Sequence, residues 1–391
     1  MKKPTPDCAV LHYHEIALKG GNRPMFLRRL TANIDKATRD LGKISIIKPR
    51  GRILLKFKDT VSWELLRRRL STAFGTANFS PAFRTGTDPD GIGKNVDRLI
   101  EGKQARTFRI AARRGNKNYP LTSMELNIRL GKQVEEKTGW KVDLDHADLT
   151  IHVEVLDREA LIYFEKIPGP GGLPVGVSGH VVSLLSGGFD SPVASYLMMK
   201  RGCTMSFVHF HSYPHLTKAS LEKAEDLADH LTRHQFSTRL HAVAFGDIQR
   251  QIVLEVPPPL RVVLYRRFMI RISQEIARQE KARALITGEN LGQVASQTLE
   301  NISAIQNAGE LPILRPLIGF DKEEIIDLAR EIGTYSVSVQ PDQDCCRLFI
   351  PPHPSVAARL PDVEKAERKL DIDRLVKEGL DSVEKTEYRF P

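Results

Sequence analysis

Ser186, Gly187, Gly188, Phe189, Asp190 and Ser191 follow the apolar run 181–185 and open a helical pattern. Two adjacent glycines let a backbone approach a ligand closely, and successive N–H groups at a helix start form an anion site that needs no lysine. Pyrophosphate suits such a turn. In that chemistry Asp190 helps to hold Mg²⁺ against the phosphates, Ser186 and Ser191 donate hydroxyls to phosphate oxygens, and the Gly187 and Gly188 amides stabilise charge. The other common phosphate loop, GxxxxGK[ST], occurs nowhere in the chain, which removes the main support for an ordinary NTPase. A plain Gly-rich strand-to-helix turn is the structural alternative.

A second polar-glycine cluster, TGENLGQVASQTL at 287–299, also follows a buried strand-like run and so faces the same crevice. A capped helix start explains it equally well, and by itself it assigns no catalysis. His209 and Phe210 end another strand-like run, where backbone and ring could line an adenine pocket. With His211 and His215 the segment reads HxHxxxH, yet no carboxylate or thiol motif accompanies it, so these histidines read mostly as loop residues. Arg266 and Arg267 sit mid-helix among apolar residues, one placed to reach a phosphate and the other as solvated surface.

Asp344, Cys345, Cys346 and Arg347 put a thiol pair on a loop beside a cation that favours the thiolate, which suggests sulfur chemistry. Two packed thiols are the alternative. Adjacent cysteines bridge only under strain, so at most one is expected to be the working nucleophile. Arg113, Arg114 and Lys117, with Tyr119, place three cations and a ring on one loop. Phosphate contacts would hold RNA there, and a base stacked on Tyr119 would add about 1 to 3 kcal/mol; a solvated basic turn is the alternative. Lys19, Asn22 and Arg23 make a similar, weaker case.

The elements that must position these residues fall into three groups. A strand-like run at 9–11, a helix over about 24–41 stopped by Gly42, strands near 44–47 and 53–57 and a helix over 62–73 make a small α+β unit of about 75 residues. A second unit has strand-like 108–112, a helix opened by a Thr122/Glu125 capping box and ended near Gly139, alternation at Leu149, Ile151, Val153 and Val155, and a strand at 161–164. Residues 166–179, rich in Gly and Pro, read as a linker. Strands and helices then alternate from 181 to 287, with a long helix over about 261–281, which predicts a doubly wound parallel sheet whose ligand sits at the C-terminal strand ends. The charged stretch from about 361 is expected to be helical.

With 391 residues the chain is too long for one ordinary core. No window reaches the roughly 18 to 20 apolar residues of a membrane span, and the start lacks a signal-peptide core, so a cytoplasmic protein with no membrane partner is expected. Lys and Arg number 58 against 48 acidic residues, a net charge of +10 that favours a polyanionic partner. The four cysteines, Cys8, Cys203, Cys345 and Cys346, form no CxxC, which argues against a disulfide framework or a four-thiolate metal site.

The SGGxDS string resembles the PP-loop of the ATP pyrophosphatase superfamily, whose members adenylate a carbonyl oxygen and release pyrophosphate. HYHEIALKGGNR from His12, NYPLTSMELN from Asn118, SGGFDSPVA, YRRFM from Tyr265, TGENLGQVASQTLEN and DCCRLF stand in one order over nearly the whole chain. Together they resemble the tRNA uracil 4-sulfurtransferases, the 4-thiouridine synthetases also called ThiI. The resemblance implies a multidomain α/β and α+β fold: a ferredoxin-like domain (1–75), a THUMP RNA-binding domain (76–165), the linker 166–179, and a doubly wound PP-loop ATP pyrophosphatase domain (180–391). It implies ATP contacts at Leu184, Leu185, His209, Phe210, Arg266, Gly288 and Gln297, beside Ser186, Gly187, Gly188, Asp190 and Ser191. It places the persulfide cysteine in the DCC string, favouring Cys346 while Cys345 stays open. Long members end in a rhodanese domain, and this chain stops at Pro391. Sulfur is therefore expected from a separate persulfide donor such as a cysteine desulfurase, from free sulfide, or through the cysteine pair, and no iron–sulfur cluster is expected.

The mechanism so implied uses ATP and Mg²⁺: O4 of a tRNA uridine attacks the α-phosphorus, pyrophosphate leaves, sulfur attacks C4 and AMP departs. The target base must be unstacked to enter the crevice. Another PP-loop tRNA modifier, such as a 2-thiouridylase or lysidine synthetase, would carry its PP-loop near the N-terminus, whereas about 180 residues precede it here. A tRNA-binding protein with ATP as structural ligand is the alternative from another class. The expected partners are tRNA and the sulfur donor, with a second copy of the chain as a further candidate; a role in thiamine biosynthesis is also known for this family.

Overall fold

The computed structural model describes residues 4–341, 349 and 351–391, which divide into two compact units, Met1–Gly172 and Leu173–Pro391. In the first unit the strands are β1 (Cys8–His12), β2 (Ile44–Ile47), β3 (Arg52–Phe57), β4 (Asn78–Thr85), β5 (Thr107–Arg114), β6 (Lys141–Val142), β7 (Leu149–Val155), β8 (Ala160–Tyr163) and β9 (Ile167–Pro168). The helices are α1 (Arg23–Thr38), α2 (Trp63–Leu70), α3 (Pro89–Ile100) and α4 (Ser123–Thr138). The capping box predicted at Thr122 and Glu125 is formed, and Gly139 ends α4 in the left-handed conformation that glycine adopts without strain.

The two small units read from the sequence share one sheet, in the order β2-β3-β1-β4-β8-β7-β5-β6 with β9 also on β4. β4 is the joint. Its residues 78–82 pair with β1, its residues 83–85 pair with β8, and β9 pairs with Asn78 and Phe79. Within 166–179, residues 167–168 therefore belong to the first sheet. α1 and α2 pack on the β1/β3 end through Leu30, Ile34, Leu66 and Leu70, while α3 and α4 pack on the β5/β7/β8 end through Val96, Leu99, Leu126 and Leu130.

A buried carboxylate ties the two ends of this sheet together. Glu154 on β7 takes an ion pair from Arg52 on β3 (2.5 Å), a contact from His12 Nε2 on β1 (2.9 Å) and a hydrogen bond donated by the Tyr163 hydroxyl (2.7 Å). Burial pushes its pKa up, but these partners outweigh burial and hold it at about 2, so the carboxylate stays charged. The Tyr163 hydroxyl is pushed up in turn by burial and by that charge.

The second unit contains β10 (His180–Leu184), β11 (Thr204–His211), β12 (Ser237–Ala244), β13 (Leu285–Ile286), β14 (Ile313–Leu314) and β15 (Glu384–Arg389). Its helices are α5 (Asp190–Lys200), α6 (Ala219–Thr232), α7 (Gly246–Glu255), α8 (Arg261–Gln279), α9 (Leu299–Gln306), α10 (Lys322–Glu331), α11 (Tyr335–Ser338), α12 (Leu360–Glu367) and α13 (Ile372–Asp381). The strand order is β14-β13-β10-β11-β12-β15, parallel from β14 to β12, as the alternating pattern predicts. β15 departs from expectation: the charged C-terminal stretch forms α12 and α13 but ends in a strand, antiparallel to β12. Its sequence EKTEYR lacks the apolar alternation of a half-buried strand, because main-chain bonding at an exposed edge holds it. α7, α8, α12 and α13 enclose the principal core around Phe268, Ile272 and Leu375. Among the described residues no helix is long and apolar enough to cross a membrane.

Candidate nucleotide and RNA sites

The central strand β10 ends at Leu184, and the turn that follows is braced by its own hydroxyls. Ser186 N donates to Ser191 Oγ (2.8 Å), the two hydroxyls lie 3.1 Å apart, and Ser191 Oγ reaches Ser186 O at 3.2 Å. The serines expected to contact phosphate thus also hold the turn's shape. No side chain caps α5, so its first amides point outward unclaimed by a cap, as an anion site requires.

Around this turn lies a cavity of about 330 Å³, of the size that small-molecule ligands occupy. Of the residues expected at ATP, Leu184, Leu185, Ser186, Gly188, Asp190, Ser191, His209, Phe210, Arg266, Gly288 and Gln297 line it, while Gly187 lies buried behind. All but Gln297, which lies on a short helical turn at 295–297, stand at or just beyond C-terminal strand ends or on α8, where an open parallel sheet binds its ligands. Gly288 is required by space: a Cβ there would come within 2.7 Å of Ser191 N. His209 is fixed by Nδ1 to Leu185 O (2.8 Å), and Phe210 packs edge-on against Phe245, 5.3 Å between ring centres. His215 instead contacts Asp247 (3.1 Å), and among the described residues no three metal-ligating side chains converge.

Polar side chains converge on the cavity that the sequence reading left without a role. Glu289, 2 % exposed, accepts from Arg315 Nε (2.6 Å), Thr287 Oγ1 (3.1 Å) and Arg266 Nη1 (3.3 Å). Asp190 Oδ1 meets Lys322 Nζ at 2.8 Å, and its Oδ2 accepts from Gln293 Nε2 at 3.2 Å. The Lys322 ammonium also lies 5.5 Å from the centre of the Phe189 ring. Gln293 Oε1 and Gln297 Oε1 are buried without hydrogen-bond partners, a deficit that a polar ligand would relieve. Arg315 and Lys322 carry no local signature: a strand end and a capped helix start bring them in only once β14 and α10 are packed. Arg267 departs from expectation. It is 2 % exposed, with its guanidinium on Glu367 (2.7 and 3.0 Å) and Ala304 O, because α12 covers that face of α8.

Asp344, Cys345, Cys346 and Arg347 lie outside the described residues. The other cysteines, Cys8 and Cys203, are buried, and burial pushes both thiols up, which keeps them protonated.

In the first unit the basic loop opens on a pocket of about 520 Å³ that Arg50, Arg52, Arg114, Asn116, Lys117 and Asn118 line. Arg114 Nη1 is steadied by the carbonyls of Lys117 (3.0 Å) and Tyr119 (3.3 Å), whereas Arg113 and Lys117 are exposed. Tyr119 contradicts the stacking expectation. Its ring is 9 % exposed in the α3/α4 core and its hydroxyl donates to Thr87 O (2.6 Å), so a base cannot reach its face. Asn22 precedes α1 without capping it, Lys19 pairs with Glu15 (3.1 Å), and Arg23 donates to the Tyr13 hydroxyl (2.7 Å).

The profile of the thiamine biosynthesis protein ThiI matches residues 176–372, that of the THUMP domain 89–165 and that of the ThiI ferredoxin-like domain 8–80. The chain belongs to the ThiI family. A probable tRNA sulfurtransferase of Thermus thermophilus is 47 % identical over 97 % of this chain and 93 % of its own, and one of Moorella thermoacetica is 43 % identical over 96 % of each. The crystal structure of a 4-thiouridine synthetase–RNA complex with bound ATP is 35 % identical, covers 98 % of this chain and all of its own, and superposes with a TM-score of 0.89. The ThiI-family fold therefore comprises a ferredoxin-like domain, a THUMP domain and a parallel-sheet PP-loop domain.

Proposed function

We propose that the chain is an ATP-dependent tRNA sulfurtransferase that converts a uridine to 4-thiouridine. The observation that carries this reading is the uncapped start of α5, packed backbone to backbone against Gly288 at the mouth of a nucleotide-sized cavity. The amide of Gly188 and the first turn of α5 receive phosphate charge, Arg266 adds a cation to the lining, and Gln293 and Gln297 offer unpaired amide oxygens. Lys322, beside Asp190, neutralises charge that develops as pyrophosphate leaves.

Asp190 is the carboxylate in the cavity that Arg side chains do not claim, which fits Mg²⁺ held chiefly by the phosphates with one protein ligand. When bound, Mg²⁺ supplies Lewis-acid stabilisation of phosphate oxygens. Uridine O4 attacks the α-phosphorus, the bond to the β-phosphate oxygen breaks, and pyrophosphate departs. Sulfur then forms a bond to C4 as the C4–O4 bond breaks and AMP leaves. Sulfide delivers that atom directly. From a cysteine persulfide, the new C–S bond leaves an S–S link that a second thiolate cleaves, and an external dithiol reduces the resulting disulfide. Cys346, with Cys345 open, is the carrier in this reading.

The domain division proposed is 1–75, 76–165 and 180–391, with 166–179 between them contributing residues 167–168 to the first sheet, and with the basic loop at Arg113, Arg114 and Lys117, and Lys19, Asn22 and Arg23, holding tRNA. A separate persulfide donor or sulfide supplies the sulfur, and the cytoplasm, where tRNA is modified, is the working compartment.

The test is mass-spectrometric analysis of unmodified tRNA after incubation with the protein, Mg²⁺, ATP and either sulfide or a persulfide-generating donor, beside Cys346→Ala and Asp190→Ala. New 4-thiouridine that requires ATP is expected, lost in Asp190→Ala with both donors and in Cys346→Ala with the persulfide donor alone. No thiouridine with either donor, while tRNA still binds, would overturn the reading in favour of a tRNA-binding protein.

A further inference from the structure

A carboxylate lines the cavity proposed for a triphosphate, and like charges repel there more strongly than in water. It belongs to the buried Glu289, whose two oxygens are held unequally. Oε2 accepts from Arg315 Nε at 2.6 Å and from the Thr287 hydroxyl at 3.1 Å. Among the described residues Oε1 accepts a single, longer bond, 3.3 Å, from Arg266 Nη1. The carboxylate is thus gripped on one side and loosely engaged on the other.

The two arginines differ in their surroundings. Arg266 lines the cavity from α8 with its side chain 27 % exposed, so it can turn between carboxylate and ligand. Arg315, 12 % exposed, follows β14 and is fixed: its Nη1 donates to Gln306 Oε1 on α9 (2.8 Å) and to Ile313 O (3.3 Å). It is not among the residues that line the cavity. A guanidinium is always charged, so two cations on one carboxylate leave the trio with a net positive charge beside the phosphates. Without Arg315 the sum is zero, and a buried carboxylate with a single cation left draws that cation onto itself. A plain structural clasp is the competing account, because Thr287 N also donates to Leu314 O (3.1 Å) where β13 and β14 end side by side. Charge separates the two, since a clasp needs shape and hydrogen bonds, whereas a counter-charge is needed only while the carboxylate is charged.

We propose that Arg315 is a positioning residue for the nucleotide: it offsets the charge of Glu289, so that Arg266 turns its positive charge to phosphate instead of being drawn to the carboxylate. Glu289 in turn fixes the direction from which Arg266 approaches. This rests on the reading of the cavity as the ATP site with Arg266 at its phosphates. It follows that Glu289 harms nucleotide binding once Arg315 is gone, and that removing both charges undoes most of the damage done by removing one.

The experiment uses the full chain and titrates ATP with Mg²⁺ into the parent, Arg315→Met, Arg315→Lys, the double variant Glu289→Gln/Arg315→Met, and Arg266→Met, with the unfolding temperature of each recorded. Arg315→Met raises the Kd for ATP about tenfold or more, the scale of one lost charged hydrogen bond. Arg315→Lys, which keeps the charge, recovers most of that loss. The double variant binds ATP tighter than Arg315→Met by about threefold or more, because two removals within one charge network are not additive. A double variant that binds no tighter than Arg315→Met, as a clasp would give, overturns the proposal, and so does an unchanged Kd in Arg315→Met. Should Arg315→Met not fold, Arg315→Gln, which retains a donor for the carboxylate without the charge, takes its place with the same expectations. Arg266→Met separates the proposal from the reading beneath it. If its Kd is unchanged, the placement of Arg266 at the phosphates falls and takes the proposal with it; if it binds ATP more weakly while Arg315→Met does not, only the counter-charge role of Arg315 falls.

Discussion

Gly288→Ala would place a methyl carbon 2.7 Å from Ser191 N, 2.8 Å from the Asp190 carbonyl carbon and 2.9 Å from Ser191 Cα. All three are backbone atoms of the first turn of α5, so no rotamer change relieves the clash. The nearest contact is about 0.7 Å short of the 3.4 Å at which ordinary contact begins, and β13 and α5 must separate by a comparable amount. Overpacking of this kind costs about 1 to 3 kcal/mol, which leaves a chain of this size folded. The larger effect is on chemistry, since the atoms displaced belong to the peptide groups proposed to face the phosphates. A shift approaching 1 Å in such donors is expected to lower kcat/KM for ATP by about 10- to 100-fold, read as tRNA-dependent pyrophosphate release. Gly319→Ala is the control, since a Cβ there meets nothing within 4 Å, and its stability should change by no more than about 0.5 kcal/mol. Unaltered pyrophosphate release by a folded Gly288→Ala protein would refute the placement of phosphate at this turn.

Two further outcomes test the first unit. His152 stacks on Tyr163 (4.7 Å), and burial, with help from Lys166, holds its pKa at about 4 rather than 6.5. A folded pKa below the unfolded one means that the folded form takes up fewer protons, so stability is lost as pH falls through 6.5 and the loss levels off below 4. At pH 5, discounted for solvent screening of a partly exposed ring, this amounts to about 1 kcal/mol. His152→Phe should narrow the difference in unfolding temperature between pH 7 and pH 5, and an unchanged difference would count against this account. Glu154, held at about 2, adds its own acid sensitivity only below about pH 4.5. Lys117→Ala should weaken tRNA binding and make the slope of log affinity against log salt shallower by about 0.7 to 0.9, as for one lost phosphate contact. An unaltered slope would remove Lys117 from the interface.

The phosphate turn was legible because its chemistry is local: two glycines, an acid and a helix start lie within six residues and need no partner to be recognised. The alternation of strands and helices after 180 likewise predicted the parallel sheet, because each βαβ unit carries its own pattern. What the sequence hid depends on long-range packing. Arg315 and Lys322 become site residues only when β14 lies beside β13 and α10 packs near the turn. Tyr119 sits in a basic loop, the pattern of a base-stacking ring, yet the core beneath takes the ring while its hydroxyl finds Thr87. β15 has a charged sequence that reads as helix, and only the vacant edge of β12 turns it into a strand. Neither composition nor period marks β4 as the strand that joins the two small units, since that role is a matter of which neighbours arrive on either side.

That joint has a consequence for the birth of the molecule. β1 emerges early from the ribosome, but β4, its inner partner, follows about 70 residues later, and the strands that flank β4 in turn, β8 and β9, end at residue 168. At a synthesis rate of about 5 to 20 residues per second, the first-made strand waits roughly 8 to 30 s before its sheet can be completed. For the later part of that interval, the roughly 4 to 17 s between its own synthesis and the arrival of β8 and β9, β4 has an unpaired edge of the kind that invites pairing with another chain. Pro81 lies within that edge and, with no N–H to donate, makes it a poor template for a stray strand.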